Sequence, residues 1–355
     1  MSGVEDEYWM RRALDCARHG LGLTSPNPPV GAILVKNGKE VSSGFHRGAG
    51  HPHAEMEAFH ASRKSSLCDD VQGATLYVTL EPCSTRGRTG ACTEAIKREK
   101  IARVVYGATD PNPAHLGGAK KILIEAGIEV MDGVLKADCE QLIRAFRKVQ
   151  TTGLPWVIAK TAMSLDGRIT RPPNEGQWLS GEASRADVQN VRAEADAILT
   201  SGMTVRDDDP SLTLRGLQLP DNKAQPWRVI LTSRQDGVPG DSKVMSDEFK
   251  DRTLIFQGRL LEGVFRELVT ENGVTTVLIE AGGRLLGRMF DEGWVDELIV
   301  YLAPIMTGGD KGALSGEGVA TLAERLGLGQ CQIERIDDDV RLRGLVENSS
   351  VELER

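Results

Sequence analysis

A chain of 355 residues is longer than one ordinary core accommodates and points to two domains. Apolar residues make up 40% and charged residues 26%, a globular composition, while a net charge of −8 without any Lys/Arg block argues against a phosphate-backbone binder. No apolar run approaches a membrane span and the acidic start lacks the plan of a signal peptide, so a cytoplasmic protein with no membrane or nucleic-acid partner is expected.

Residues 7–18 carry Trp9, Met10, Ala13, Leu14 and Ala17 at helical spacing, and Gly20 ends the run. Strands are predicted at 30–36 and 40–45 around Asn37-Gly38, a pair that readily takes positive φ at both positions of a hairpin turn. A helix at 53–63, a strand at 75–80, a helix at 91–99, a strand at 102–107, a helix at 118–126 and a short strand at 128–131 follow. The helix 138–150 runs into the turn cluster 151–155, which sets the expected domains as 1–150 and 151–355. Beyond it strands are predicted at 157–161, 197–200, 228–232, 253–256, 276–280 and 297–302. Helices fall between them at 183–194, 261–271 and 284–291. Both halves therefore read as α/β layers, the second not a repeat of the first.

All six histidines lie at or before His115, so chemistry in the later two thirds must proceed without imidazole. Six cysteines in a chain this long do not make a disulfide scaffold, and those that cluster read as metal ligands. His53-Ala54-Glu55 opens a predicted helix after Pro52, Glu81-Pro82-Cys83 follows a strand, and Cys92 comes after eight intervening residues. Zinc favours nitrogen and thiolate ligands, and a catalytic zinc keeps a position open beside three of them. His53, Cys83 and Cys92 supply that set. Glu55, two residues from the histidine and not itself a ligand, is placed to move protons, which is the logic of the zinc deaminases. Only His53 has a Glu two positions on, which prefers it over His51. A purely structural zinc would want a fourth protein ligand, and none stands at suitable spacing. Cys16, Cys68 and Cys139 read as small buried hydrophobes.

In the second half the residues alone offer one candidate, Glu280-Ala281-Gly282-Gly283-Arg284-Leu285-Leu286-Gly287, where a strand turns into a helix. Small residues there let backbone N–H groups approach a phosphate, although the spacing is not that of a dinucleotide fingerprint.

The stretch from Glu81 to Cys92 departs from the two-residue cysteine spacing of nucleoside and polynucleotide deaminases. It resembles the longer loop of the bifunctional riboflavin-biosynthesis deaminase–reductases. Pro26-Asn27-Pro28-Pro29-Val30-Gly31, Gly44-Phe45-His46, His51-Pro52-His53-Ala54-Glu55 and Asp110-Pro111-Asn112-Pro113 fit the same pattern. So do residues 159–168, 198–205, 208–210, 212–215, 295–298 and 303–304 of the second half. The resemblance implies two three-layer α/β domains, one cytidine-deaminase-like and one dihydrofolate-reductase-like. Zn2+ would serve the first and NADPH the second. It implies deamination of 2,5-diamino-6-(5-phosphoribosylamino)pyrimidin-4(3H)-one, then reduction of the ribosyl group to a ribityl chain, in a homo-oligomer, dimer or tetramer. Asn27, His46, Arg88, Asp110 and Asn112 would contact the deaminase substrate. Trp178, Thr204, Asp208, Ser233, Gly282, Gly283, Arg284, Leu285, Leu286, Gly287 and Arg288 would contact NADPH. Lys160, Arg192, Leu212, Arg215 and Glu280 would face the reductase substrate, with Lys160, Glu280 or water delivering any proton. Two other readings stay open on the residues alone: a nucleoside or nucleobase deaminase with an unrelated second domain, and a zinc-stabilised nucleotide-binding module.

Overall fold

The computed structural model describes residues 3–64, 71–84, 90–112, 118–169, 178–235, 237–321 and 324–348. Two compact units divide the chain, Met1–Gly153 and Leu154–Arg355.

In the first unit, α1 (Gly3–Arg18) precedes the hairpin β1 (Gly31–Lys36) and β2 (Lys39–Phe45). Its Asn37 and Gly38 have φ of 53° and 70°, as a two-residue turn requires. Then come α2 (Ala54–Lys64), β3 (Thr75–Leu80), α3 (Cys92–Arg98), β4 (Arg103–Ala108), α4 (Gly118–Glu125), β5 (Glu129–Asp132), α5 (Lys136–Leu142) and α6 (Arg144–Thr152). The sheet order is β2-β1-β3-β4-β5, with β1 antiparallel to both neighbours and β3, β4 and β5 parallel. Every residue of β3 and β4 is buried, as befits strands covered on both faces. Leu76, Val78 and Val104 pack under α2, α3 and α4, whereas Tyr77 and Val105 pack under α1 and α5. The predicted helix 138–150 divides at buried Ile143, whose ψ of 16° is not helical.

A buried ion pair staples α1 to this sheet. Arg103 donates to both oxygens of Asp6 (2.6 and 3.0 Å), and the Tyr77 hydroxyl donates to one of them at 2.8 Å. Asp6 is fully buried. Removing one partner strands the other charge in the interior, so Asp6→Ala should destabilise the first unit by about 3–5 kcal/mol in urea unfolding. A loss under about 1 kcal/mol would mean the pair is as weak as a surface bridge.

The second unit contains β6 (Trp156–Ser164), α7 (Glu182–Glu194), β7 (Ala197–Ser201), α8 (Gly202–Asp208), β8 (Trp227–Thr232), α9 (Lys243–Ser246), β9 (Thr253–Gln257), α10 (Leu261–Asn272), β10 (Thr276–Glu280), α11 (Gly283–Asp291), β11 (Glu297–Ala303), β12 (Leu326–Ile336) and β13 (Asp339–Asn348). Its sheet runs β12-β13-β11-β6-β10-β7-β8-β9. The six strands from β11 to β9 are parallel, and β13 and β12 close one edge antiparallel. Alternation along β6 serves both faces: Val157 and Ala159 join the core under α10 and α11, and Ile158 joins the core under α7. The sequence reading lacked α8, α9 and the β12–β13 hairpin. That hairpin anchors the helix carrying Arg192: Asp339 at its turn accepts from Gly181 N–H (2.8 Å) and Ser184 Oγ (2.6 Å) and so caps α7.

Candidate functional site

In the first unit β3 delivers Cys83 just past its end, α3 opens on Cys92, and α2 opens one residue after His53. Gly44 on β2 lets α2 come this close, since a Cβ there would lie 2.4 Å from the Ala58 nitrogen. His53 Nδ1 stands 3.2 Å from Cys92 Sγ and 3.5 Å from Cys83 Sγ, and the three donor atoms lie within 4.8 Å of one another. A tetrahedral zinc bound by nitrogen and sulfur would hold such a pair about 3.5 Å apart. The donor set therefore fits zinc in kind and in spacing. Contact with Cys92, opposed by burial, pulls the Cys83 thiol well down, and Cys83 draws the His53 imidazole up. The Cys92 backbone N–H also donates to Cys83 Sγ at 3.3 Å, a bond that favours thiolate. Glu55 is 3% exposed with its carboxyl toward Cys92 and His53. Burial pushes that carboxyl above the usual range, against the pull of His53. His51 is exposed and outside the cluster. Cys139 is buried and Cys16 half-buried, as expected of small hydrophobes, and Cys68 lies outside the described residues.

His46 is buried, its ring edge-on to His53 at 5.7 Å. Its Nδ1 lies 2.9 Å from the Pro52 carbonyl, which can only accept, so the proton sits there; Nε2 then accepts from the Asn27 amide at 3.1 Å. Burial lowers its basicity, which keeps this neutral tautomer. Both ring nitrogens are thus engaged within the protein, and His46 orients Asn27 and the segment entering His53. Asp110 is buried, and its Oδ1 accepts the Asn112 N–H at 2.9 Å in a turn closed by the carboxylate. Arg88 lies outside the described residues.

In the second unit the candidates gather at the carboxyl ends of the parallel strands, where open α/β sheets bind ligands. Lys160 and Glu280 are register partners on β6 and β10. Arg192, reaching in from α7, grips Glu280 with Nε at 2.6 Å and Nη2 at 3.1 Å, and Lys160 Nζ stands 3.8 Å from the same carboxylate and over the Tyr301 ring. Burial alone would raise Glu280, but Arg192 and Lys160 outweigh it and hold the carboxyl at about 2. Burial lowers Lys160 against the opposing pull of Glu280. Leu212 is buried with φ of 51°, unusual for a branched side chain, in a braced loop. Arg192 donates to the Thr213 carbonyl, Gln225 makes a two-point amide pair with Leu214, and Gln189 accepts the Arg215 N–H. Sequence reasoning missed Gln189 and Gln225; nothing local marks either, since their partners lie 26 and 11 residues away. Arg215, hydrogen-bonded to Ser211, sits near enough to Glu280 to help depress it.

The residues expected at NADPH divide. Trp178 is exposed with Arg185 stacked at 5.6 Å, Ser233 is exposed beyond β8, and Asp208 is exposed, its carboxyl raised by partial desolvation and by Asp207. Thr204 lies in the first turn of α8, which Ser201 caps. Gly282 caps α11 in open surroundings, and Arg284 is exposed beside it. Gly283 and Gly287 are small for another reason: a Cβ on either would lie 2.1 Å from the backbone at Gly312 or Gly316. Leu286 is core and Leu285 packs against it, while Arg288 pairs with Glu292 at 2.5 Å. In the glycine-rich turn it is Gly282 and Arg284 that face open space.

Residues 4–108 match the cytidine and deoxycytidylate deaminase zinc-binding region, and residues 155–342 match the RibD C-terminal domain. A zinc-deaminase fold joined to a reductase fold is the class these halves define. The chain is 38% identical to the riboflavin biosynthesis protein RibD of Escherichia coli strain K12, covering 96% of this chain and 99% of that one. It is similar to the solved structure of Acinetobacter baumannii RibD, form 1 (36% identity, TM-score 0.88, 98% and 100% of the two chains). It is also similar to the Thermotoga maritima protein described as a diaminohydroxyphosphoribosylaminopyrimidine deaminase/5-amino-6-(5-phosphoribosylamino)uracil reductase (30% identity, TM-score 0.86, 97% and 99%). The chain belongs to the RibD family of riboflavin-biosynthesis proteins. It is a bifunctional enzyme, deaminase and reductase, with zinc and NADPH as cofactors.

Proposed function

We propose that the first unit deaminates 2,5-diamino-6-(5-phosphoribosylamino)pyrimidin-4(3H)-one and that the second reduces the ribosyl group of the product to a ribityl chain. His53, Cys83 and Cys92 hold the zinc and Glu55 moves the protons. The observation that carries this is one nitrogen and two sulfurs within 4.8 Å, with a buried carboxyl beside them. Zinc, when bound, makes a water acidic enough to yield hydroxide near neutral pH. Glu55 would carry the two protons of the attacking water in turn, one to the ring nitrogen and one to the departing amine, so that ammonia leaves as the carbonyl forms. Asn27, its amide turned by His46, offers its oxygen to the ring, with Asn112 nearby in sequence to the Asp110 turn.

NADPH, when bound in the second unit, supplies a hydride, and the chain must supply a proton. Glu280, held at about 2, is ionised at neutral pH and positions charge. Lys160, its ammonium weakened by burial, is the better donor. Arg192, Leu212 and Arg215 shape the substrate side, and Trp178, Thr204, Asp208, Ser233 and the Gly282–Arg284 turn the cofactor side. Among the described residues no helix is long and apolar enough to cross a membrane, in keeping with a cytoplasmic enzyme on a small-molecule substrate. Edge strand β12, with Ile333 exposed, offers a surface for homo-oligomer assembly.

The test follows NADPH oxidation on the diaminopyrimidinone phosphate with and without a chelator. Metal removal should stop oxidation from that substrate while sparing oxidation from pre-deaminated product, and Cys83→Ser should lose zinc by metal analysis. Full turnover of the diamino substrate after the metal is gone, or full zinc content in Cys83→Ser, overturns the ligand assignment.

A further inference from the structure

Glu81 takes no part in the proton transfers, yet it is a buried carboxyl, 3% exposed, two residues before Cys83. Its backbone N–H donates to the Ala108 carbonyl at 2.8 Å, which fixes it against the end of β4. Its side chain reaches two points far along the chain. Oε2 accepts the Asp110 N–H at 3.3 Å, and Oε1 accepts the Ala119 N–H at 3.1 Å in the first turn of α4. The carboxylate therefore ties both ends of the segment 110–119 to the segment that carries Cys83. Charge favours this arrangement, because the second acceptor site sits at the positive end of a helix. A separate contact holds the same two segments together: a Cβ on Gly118 would lie 2.7 Å from Ser84 Oγ, so α4 starts directly against the cysteine segment.

We infer that Glu81 is a positioning residue for the deaminase, which sets the distance between the Cys83 segment and the Asp110–Asn112 turn. On the proposed function the turn is one wall of the site and the cysteine is another. Glu81 joins them through its side chain. Its loss lets the wall at Asp110 and Asn112 shift relative to the cysteine, while His53, Cys83 and Cys92 keep their own elements. The inference rests on the zinc-deaminase reading of this site.

The test compares wild type, Glu81→Gln and Glu81→Ala for zinc content, thermal stability, and kcat and KM of ammonia release per zinc-loaded chain. Reductase activity on pre-deaminated product reports that the second unit is folded, and thermal unfolding reports on the first. Glu81→Ala should raise KM about tenfold or more with a smaller change in kcat and one zinc retained, since displacement on the ångström scale suffices for such losses. Glu81→Gln should fall between, because its amide puts a donor NH2 where one of the two accepting oxygens stands. If Glu81→Ala does not fold, the KM of Glu81→Gln decides. Wild-type KM and kcat per zinc-loaded chain, with only stability lowered, would show Glu81 to be merely structural. Loss of zinc would show it to hold the metal segment instead, and either result overturns the inference. Failure of the underlying reading looks different: the wild-type enzyme would then release ammonia without metal.

Discussion

Glu55→Gln is expected to cut ammonia release by about 10²- to 10⁴-fold while leaving one zinc per chain, the range seen when a positioned acid–base group is removed. The substitution changes little but the chemistry. Glutamine has nearly the volume of glutamate, so the pocket at the start of α2 is neither emptied nor overfilled around a side chain 3% exposed. It cannot accept a proton at neutral pH, and both protons of the reaction lose their carrier. The proposed ligand atoms belong to other residues: His53 precedes α2, Cys83 follows β3 and Cys92 begins α3. Metal analysis should therefore read as wild type. The second unit should oxidise NADPH at the wild-type rate when given pre-deaminated product. Unchanged ammonia release would remove Glu55 from the mechanism, and loss of zinc with activity would make it a support of the metal cluster.

The meeting of His53, Cys83 and Cys92 was legible in the sequence because each half of it is local: His-x-Glu opens a helix, and Pro-Cys closes a strand. Their meeting needed only the expectation that β1, β3 and β4 form one sheet. Glu81 stood inside the Glu-Pro-Cys motif but showed no role there, because its two partners lie 29 and 38 residues on. The glycine-rich turn misled for a physical reason. Small residues after a strand signal a close approach, but they do not say by what. At Gly283 and Gly287 it is backbone of the chain itself. The β12–β13 hairpin escaped because much of β12 is exposed, so no apolar alternation marks it. Its turn is Asp337-Asp338 in place of Asn-Gly, with Asp337 at φ 56°. Six parallel-sheet strands were placed correctly, since buried strands read as short apolar runs between helical segments. That Lys160 and Glu280 are register partners, 120 residues apart, is set by the strand order and could not be read from either run alone.

That partnership carries the second large effect. Arg192→Leu should destabilise the second unit by about 3–5 kcal/mol, because it leaves Glu280 buried with only Lys160 for a strong counter-charge. Reductase kcat/KM should drop about 100-fold, since the same guanidinium holds the Thr213 carbonyl of the braced loop and the misplaced groups are those proposed to face the substrate. The pH dependence gives the sign. In the wild type Glu280 sits near 2, below its ordinary 4.5, so its contribution is fully present above about pH 4.5 and is lost as pH falls through about 2. Without Arg192, burial dominates and the carboxyl moves upward, so acidification relieves the variant of a buried charge. The stability gap between the two proteins should be widest at neutral pH and narrow as the pH is lowered toward 3, read from urea unfolding followed on the second unit. A gap that stays constant over that interval would mean the arginine acts through packing alone, and equal stability at neutral pH would mean that Lys160 suffices to hold the charge.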